Sequence, residues 1–351
     1  MTVCAHFGAC GGCTLQNLAD HAYRARKREA VVAALHRAGL TGVVTEEPLL
    51  VPERTRRRAV FKLGKEKGRV VAGFHAARSH AIVDMHECLV LTPALLALTQ
   101  DLRRGLEPIL AEGEKAEVHA TETDTGLDLA FRWSRKLKPE LTAAIAKAFA
   151  GSGIARIIFN GEMLSEQRIP AISFDGIVVV PPPHAFLQAT REGEAALRAR
   201  VLTLTEGAKH IADLFSGLGT FALPLARRAK LHAVEQDAQA LAALTNAARK
   251  AKGLKPITTE KRDLFKLPLT PLELNRFDAV VLDPPRAGAE AQVKAIGASK
   301  IGRIAYVSCD AASFARDAAI LVKAGFRAGP VTPVDQFLYS DHIELVGGFT
   351  R

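Results

Sequence analysis

The feature that most limits what this chain can become is a regular alternation that starts after Pro181-Pro182-Pro183. Apolar, strand-like runs at 210–215, 231–235, 257–260, 277–283 and 303–308 interleave with helical patterns at 220–229, 238–252, 291–299 and 312–324. Such alternation predicts a parallel sheet with helices on both faces. The last two runs, 328–337 and 342–349, have no helical pattern between them and predict an antiparallel pair at the end of that sheet. The proline triplet is the strongest break in the chain and the best domain boundary. A length of 351 residues predicts two domains, or three.

The part before the triplet is mixed. Residues 15–38 read as a helix rich in Ala, Arg, Lys and Leu, with Gly39 as its C-terminal cap. Helical patterns recur at 95–112 and 138–150, and strand patterns at 116–119, 127–133, 154–160 and 177–180. The formal charge is +10, and residues 51–80 carry nine Lys/Arg against Glu53 and Glu66. The segment also reads as two strands, 59–63 and 69–74, joined by a Lys-rich turn at 64–68. A basic hairpin suits the phosphate backbone of a nucleic acid, and Arg56, Arg57, Arg58 and Lys62 are its candidate contacts. The competing reading is a solvated hairpin whose lysines block edge pairing. With 48% apolar and 24% charged residues the chain is neither disordered nor fibrous.

Chemistry concentrates where the predicted strands end. Asp213-Leu-Phe-Ser-Gly217-Leu-Gly219-Thr220 follows one strand and opens a helix, the context of a nucleotide-binding turn. Glu235 ends the next strand, where an acid takes a ribose hydroxyl pair. Asp283-Pro-Pro-Arg286 ends a third, delivering a carboxylate to the same edge on a stiffened turn. Gly217-x-Gly219-x-x-Ala222 also fits a loose dinucleotide fingerprint, so a nicotinamide oxidoreductase competes with a methyltransferase. The antiparallel ending favours the methyltransferase, and Arg286, in place of an aromatic residue, disfavours methylation of an exocyclic amine.

Cys309 stands one residue past an apolar strand, at the edge that holds Asp283 and the Gly turn. A lone Cys on such a strand is ordinarily a small buried hydrophobe; at this edge it is a candidate nucleophile. His342-Ile-Glu344 enters the final strand, and Glu344 near Cys309 would complete a nucleophile–base pair. The other cysteines are Cys4, Cys10, Cys13 and Cys88. An odd count without a secretory leader argues against disulfides and for a cytoplasmic protein. No apolar run is long enough to span a membrane. Three close thiolates plus a distant one suit an iron–sulfur centre better than the paired spacing of a zinc ribbon, which remains the alternative.

Together these residues resemble the RNA 5-methyluridine (uracil-C5) methyltransferases. The resemblance runs from Cys4 to Glu344 through Phe186-Leu-Gln188, the Gly turn, Asp-Pro-Pro-Arg, Ser-Cys309-Asp…Ala-Arg316-Asp317 and His-Ile-Glu. It implies a class I S-adenosylmethionine-dependent methyltransferase, α/β and Rossmann-like, with a seven-stranded sheet and an antiparallel last strand. It adds an α+β iron–sulfur and RNA-binding domain. It implies Cys309 as nucleophile and Glu344 as base. Cofactor contacts fall on Gln188, Phe215, Gly217, Thr220, Glu235, Asp263 and Asp283, and a 4Fe–4S cluster on Cys4, Cys10, Cys13 and Cys88. Residues 1–14 and 50–183 would form the cluster and RNA domain, 15–49 a helix packed on the catalytic domain, and 184–351 the catalytic domain.

The start at the cluster cysteines resembles the short 23S rRNA enzymes without the N-terminal β-barrel, which favours 23S rRNA over tRNA. No obligate protein partner is implied, and a monomer is expected. Thr220, Asp263, Asp310-Ala311 and Gln336-Phe337-Leu338 depart from the family pattern. The alternatives are a cytosine-C5 RNA methyltransferase, disfavoured by Pro285-Arg286 where those enzymes place a Cys, and a non-catalytic iron–sulfur RNA-binding protein.

Overall fold

The computed structural model describes residues 3–351. Its first elements are helix α1 (Asp20–Arg37), strands β1 (Leu49–Leu50), β2 (Arg58–Glu66), β3 (Arg69–His75) and β4 (Ile82–Asp84), and helix α2 (Pro93–Leu106). Strands β5 (Lys115–Thr123) and β6 (Gly126–Trp133), helix α3 (Pro139–Ala148), and strands β7 (Ile154–Phe159), β8 (Glu162–Glu166), β9 (Ile172–Phe174) and β10 (Ile177–Val179) follow. The alternating part begins with α4 (Arg191–Leu204), β11 (His210–Leu214), α5 (Ala222–Leu225), β12 (Lys230–Glu235), α6 (Ala238–Lys250) and β13 (Ile257–Lys261). It closes with α7 (Pro271–Leu274), β14 (Ala279–Leu282), α8 (Glu290–Gly297), β15 (Arg303–Ser308), α9 (Ala311–Lys323), β16 (Arg327–Asp335) and β17 (Glu344–Thr350).

The alternating part forms one sheet in the order β1-β16-β17-β15-β14-β11-β12-β13. Strands β11 to β15 run parallel, and β17 lies antiparallel between β15 and β16. The central strand Ala279–Leu282 is buried at every position, as a parallel strand covered on both faces must be. Eight strands rather than seven result because Leu49 and Leu50 pair with Val334 and Asp335 on the outer edge. Two residues are too few to leave a strand signal in sequence.

Helix α4 was not legible either, because Gly193 near its start weakens the helical pattern. A Cβ at Gly193 would lie 2.7 Å from Cβ of Gln336, so glycine there permits close approach to the segment after β16. The helix expected over 220–229 shortens to Ala222–Leu225, and the one expected over 95–112 ends at Leu106.

The upstream part forms a second sheet, β4-β3-β2-β5-β6-β7-β8. Its apolar face packs on α2 and α3 through Phe61, Leu63, Leu98, Leu102, Phe131 and Phe149. The β2–β3 hairpin turns on Lys67 and Gly68, both at positive φ, the geometry that matches strand twist in two-residue turns.

Two buried ion pairs tie these parts together. Arg57 reaches Glu194 of α4 at 2.6 Å, with both side chains under 5% exposed. Helix α1 packs Val31, Ala34 and Leu35 into the core that holds Phe314, Leu321 and Leu345. From α1, Lys27 Nζ meets Asp335 Oδ1 at 2.9 Å and donates to the His342 carbonyl at 2.6 Å. Removing one partner strands a buried charge, at a cost of about 3–5 kcal/mol. Lys27→Met is therefore expected to lower the urea midpoint sharply, and Lys27→Met/Asp335→Asn to recover part of the loss. Equal midpoints for wild type and Lys27→Met in equilibrium unfolding would contradict this.

Candidate active site

The site forms where β11, β12, β14 and β15 end and β17 begins. After β11 the chain turns through Phe215, at φ 64°, and Gly217, at φ 52°. Gly219 follows at φ 89°, and a Cβ there would come within 3.0 Å of Leu223 and Leu244, so only glycine lets the turn seat against α6. Glu235 fastens this turn to the next strand: Oε2 accepts from Gly217 N at 3.0 Å and Oε1 from Asp237 N at 2.9 Å. Asp283 follows β14, and its Oδ2 accepts from Gln188 Nε2 at 3.3 Å. Gln188 Oε1 in turn accepts from Gln336 Nε2 at 2.5 Å.

Strand register brings the remaining pair together. Ser308 pairs with Leu345 across the antiparallel β15–β17 ladder. The next residues outward, Cys309 and Glu344, therefore face each other at the sheet edge, although 34 residues separate them in sequence. Both line a cavity of about 400 Å³ together with Gln188, Phe215, Gly217, Thr220, Glu235 and Asp283. Eight of the nine catalytic and cofactor candidates thus share one cavity. Asp263 does not line it: its Oδ1 accepts from Phe265 N at 3.0 Å and its Oδ2 faces Lys266 at 3.4 Å. Phe265 and Arg262, which carried no sequence signal, do line the cavity. The Phe265 ring lies 5.5 Å from that of Phe215, and Arg262 is held by Glu260 and Glu273.

The cavity is rich in protons. Burial pushes Asp283 up to about 7. Burial, then the charge of Asp283, raises Glu344 well above the carboxylate range, and Asp213 likewise with Glu235 adding to it. Glu344 Oε2 is buried without a hydrogen-bond partner among the described residues. Burial and the neighbouring Glu344 and Asp283 carboxylates push Cys309 up to about 11, against the pull of its own backbone N–H and Arg286. The turn carrying Asp283 and Arg286 is anchored from behind by buried Asp317, which accepts from Ala289 N and the Tyr306 hydroxyl, each at 2.6 Å.

The four remaining cysteines line a separate cavity of about 940 Å³. Backbone N–H groups point at three of the sulfurs: His6 N at Cys4, Gly12 N at Cys10, and Val90 N and Leu91 N at Cys88, all at 3.4–3.5 Å. Among the described residues no group of three His, Cys, Asp or Glu side chains forms a site for a metal ion. The basic hairpin also needs revision. Arg57 is buried on Glu194 and cannot reach a phosphate, and Lys62 is paired with Glu117. Arg56 and Arg58 are half-buried, with their guanidiniums over the rings of Phe337 and Phe186.

A sheet of this order, with its glycine turn, ribose-position acid and buried carboxylate at one edge, defines a class I S-adenosylmethionine-dependent methyltransferase. Residues 184–349 match the family described as tRNA (Uracil-5-)-methyltransferase. An uncharacterized RNA methyltransferase of Rhizobium meliloti is 45% identical, over 98% of this chain and 84% of that protein. The 23S rRNA (uracil(1939)-C(5))-methyltransferase of Thiobacillus denitrificans is 33% identical, over 99% of this chain and 85% of its own. The chain belongs to the RNA uracil-5-methyltransferase family. Its fold matches the crystal structure of Pyrococcus abyssi tRNA (uracil-54, C5)-methyltransferase in complex with S-adenosyl-L-homocysteine, with a TM-score of 0.76 at 23% identity. That match covers 97% of this chain and 86% of the other. No helix among the described residues is long and apolar enough to cross a membrane.

The raised Asp283 gives a sign for pH dependence. The folded state holds this proton up to about 7, whereas an unfolded Asp loses it near 4. Folding therefore loses stability from this group as pH rises from about 4 to 7. Asp283→Asn removes that loss, so the variant should gain on wild type in denaturation at pH 8 and not at pH 4. A difference independent of pH would show that Asp283 ionises normally.

Proposed function

We propose that the chain methylates C5 of a specific uridine in RNA, with 23S rRNA as acceptor, through a covalent adduct. The observation that carries this reading is the juxtaposition of Cys309 and Glu344 on the wall of the cofactor cavity. C5 of uracil is a poor nucleophile until C6 has accepted one. Cys309 Sγ adds to C6, and the electron pair displaced toward C5 makes that carbon nucleophilic. C5 takes the methyl group, Glu344 removes the C5 proton, and the returning electron pair expels Cys309 from C6.

S-adenosylmethionine supplies the methyl group on a sulfonium cation. Gln188, Phe215, Gly217, Thr220, Glu235 and Asp283 are the residues that would hold it. The site fits a cation: three carboxyls, Asp213, Asp283 and Glu344, lie at one sheet edge, burial raises the proton affinity of all three, and the charge of Asp283 raises that of Asp213 and Glu344 further. A positive charge among them favours their ionised forms, which readies Glu344 as a base. Cys309 needs the same shift of protons before it can attack. Asp263 supports the cavity rim by shaping the turn to Phe265.

The four cysteines of the larger cavity are assigned to a 4Fe–4S cluster. Its support is the all-thiol donor set lining one cavity, with backbone N–H groups turned toward the sulfurs. Residues 1–14 and 50–183 would carry the cluster and grip RNA, with Met1 and Thr2 outside the described residues. Residues 15–49 would brace the catalytic part, 184–351.

Cys309→Ala is expected to abolish transfer of labelled methyl groups to unmodified rRNA. Glu344→Gln should slow turnover by about 10²–10⁴-fold and let a denaturation-stable protein–RNA adduct accumulate. Activity retained in Cys309→Ala would exclude the covalent route. Anaerobically purified protein should contain iron and inorganic sulfide in equal amounts, and Cys88→Ser should lose both. Protein carrying zinc, or no metal, would overturn the cluster.

A further inference from the structure

A groove of about 280 Å³ lies between the two cavities and belongs to neither. It shares Phe186 and Gln188 with the cofactor cavity, and Arg56 and Phe337 with the cysteine cavity. The groove therefore adjoins both cavities. The groove walls carry two cation–ring pairs: Arg58 lies 5.0 Å over Phe186, and Arg56 lies 5.8 Å over Phe337. His119 and His184 meet edge-on at 5.4 Å along the same groove.

Its two guanidiniums have no acid partner. Arg57, between them in sequence, has Glu194, but neither Arg56 nor Arg58 makes an ion pair among the described residues. Their guanidiniums instead meet backbone carbonyls: Arg58 donates to the Leu187 carbonyl, and Arg56 Nε to the Arg58 carbonyl at 3.1 Å. Half-buried cations normally find an acid, so two without one ask for an anion from outside. Flat aromatic and guanidinium surfaces beside unpaired positive charge form a platform on which an unpaired base stacks and its phosphate is held.

We propose that this groove binds the nucleotide adjacent to the target uridine, with its base stacked against Phe337 and His184 and its phosphate on Arg56 and Arg58. The proposal rests on the RNA-methylation reading above and adds to it a second nucleotide subsite. A base held there fixes the backbone on one side of the target, so the uridine enters the cavity in a defined orientation. His184 and Phe337 then act on RNA binding and leave the chemistry at C5 alone.

The test uses the full chain, S-adenosylmethionine and 23S rRNA transcribed with 5-fluorouridine. Fluorine cannot leave C5 as the proton does, so the Cys309–C6 adduct is trapped. Irradiation at short ultraviolet wavelength, digestion and mass spectrometry then locate the neighbouring nucleotide. It should crosslink to the peptide containing His184 or the one containing Phe337. With unsubstituted transcript, His184→Ala and Phe337→Leu should each raise KM for RNA by about ten-fold. Their kcat at saturating RNA should stay within about two-fold, and S-adenosylmethionine affinity should not change; this last measurement also reports a variant that fails to fold, in which case His184→Ala, at an exposed position, decides alone. Absence of any adduct would refute the covalent methylation reading itself. An adduct whose neighbouring nucleotide crosslinks only outside the groove, or an unchanged KM in His184→Ala, would refute the subsite while leaving that reading intact.

Discussion

The candidate site is assembled by the register of one antiparallel ladder, β15 against β17. Because Ser308 pairs with Leu345, Cys309 and Glu344 emerge side by side. Side chains alternate faces along a strand, so a slip of one residue would turn Glu344 away from the cavity. The register is secured on both sides, since β17 is also bonded to β16, where Val334 pairs with Glu344. It is secured from outside as well. Lys27 holds Asp335 at the end of β16 and the His342 carbonyl just before Glu344, so helix α1 clamps both ends of the loop that leads into the base.

The same loop connects the two halves of the molecule. Phe337, Leu338, Ser340 and His342 line the cysteine cavity, while Gln336 reaches back through Gln188 to Asp283. Arg57 adds a buried link from the second sheet to α4. The basic hairpin is thus partly a joint: of its candidate contacts, Arg57 is spent on packing and Lys62 on Glu117, and Arg56 and Arg58 line the groove. An excess of charge in sequence marks a region without separating these roles, because the role depends on whether an acid folds in beside each cation.

Electrostatics at the sheet edge follow from crowding. Parallel strands deliver their terminal residues to one line, so Asp213, Asp283, Cys309 and Glu344 share a small volume. Burial raises the proton affinity of all four, and the Asp283 carboxylate adds to it at Asp213, Glu344 and Cys309. This is a property of the fold rather than of any one residue.

The sequence by itself determined the class of sheet, because apolar strands alternating with amphipathic helices have few other ways to bury their faces. It also determined the residues at the strand ends, since Gly217, Glu235, Asp283 and Cys309 each directly follow or end an apolar run. The tertiary structure decided what those residues meet. The sequence paired Glu344 with Cys309 only through resemblance and position at a strand start; the β15–β17 register is what sets the two side by side. Arg262 and Phe265 left no local signal, because what brings them to the cavity is the return of the chain after β13. Asp263, at the end of the same run, turns toward Phe265 and Lys266 instead. The pairing of Leu49 and Leu50 with β16, and the burial of Arg57 on Glu194, are contacts between segments far apart in the chain. Periodicity records only which faces a segment must hide; which partner hides them is settled when the segments pack.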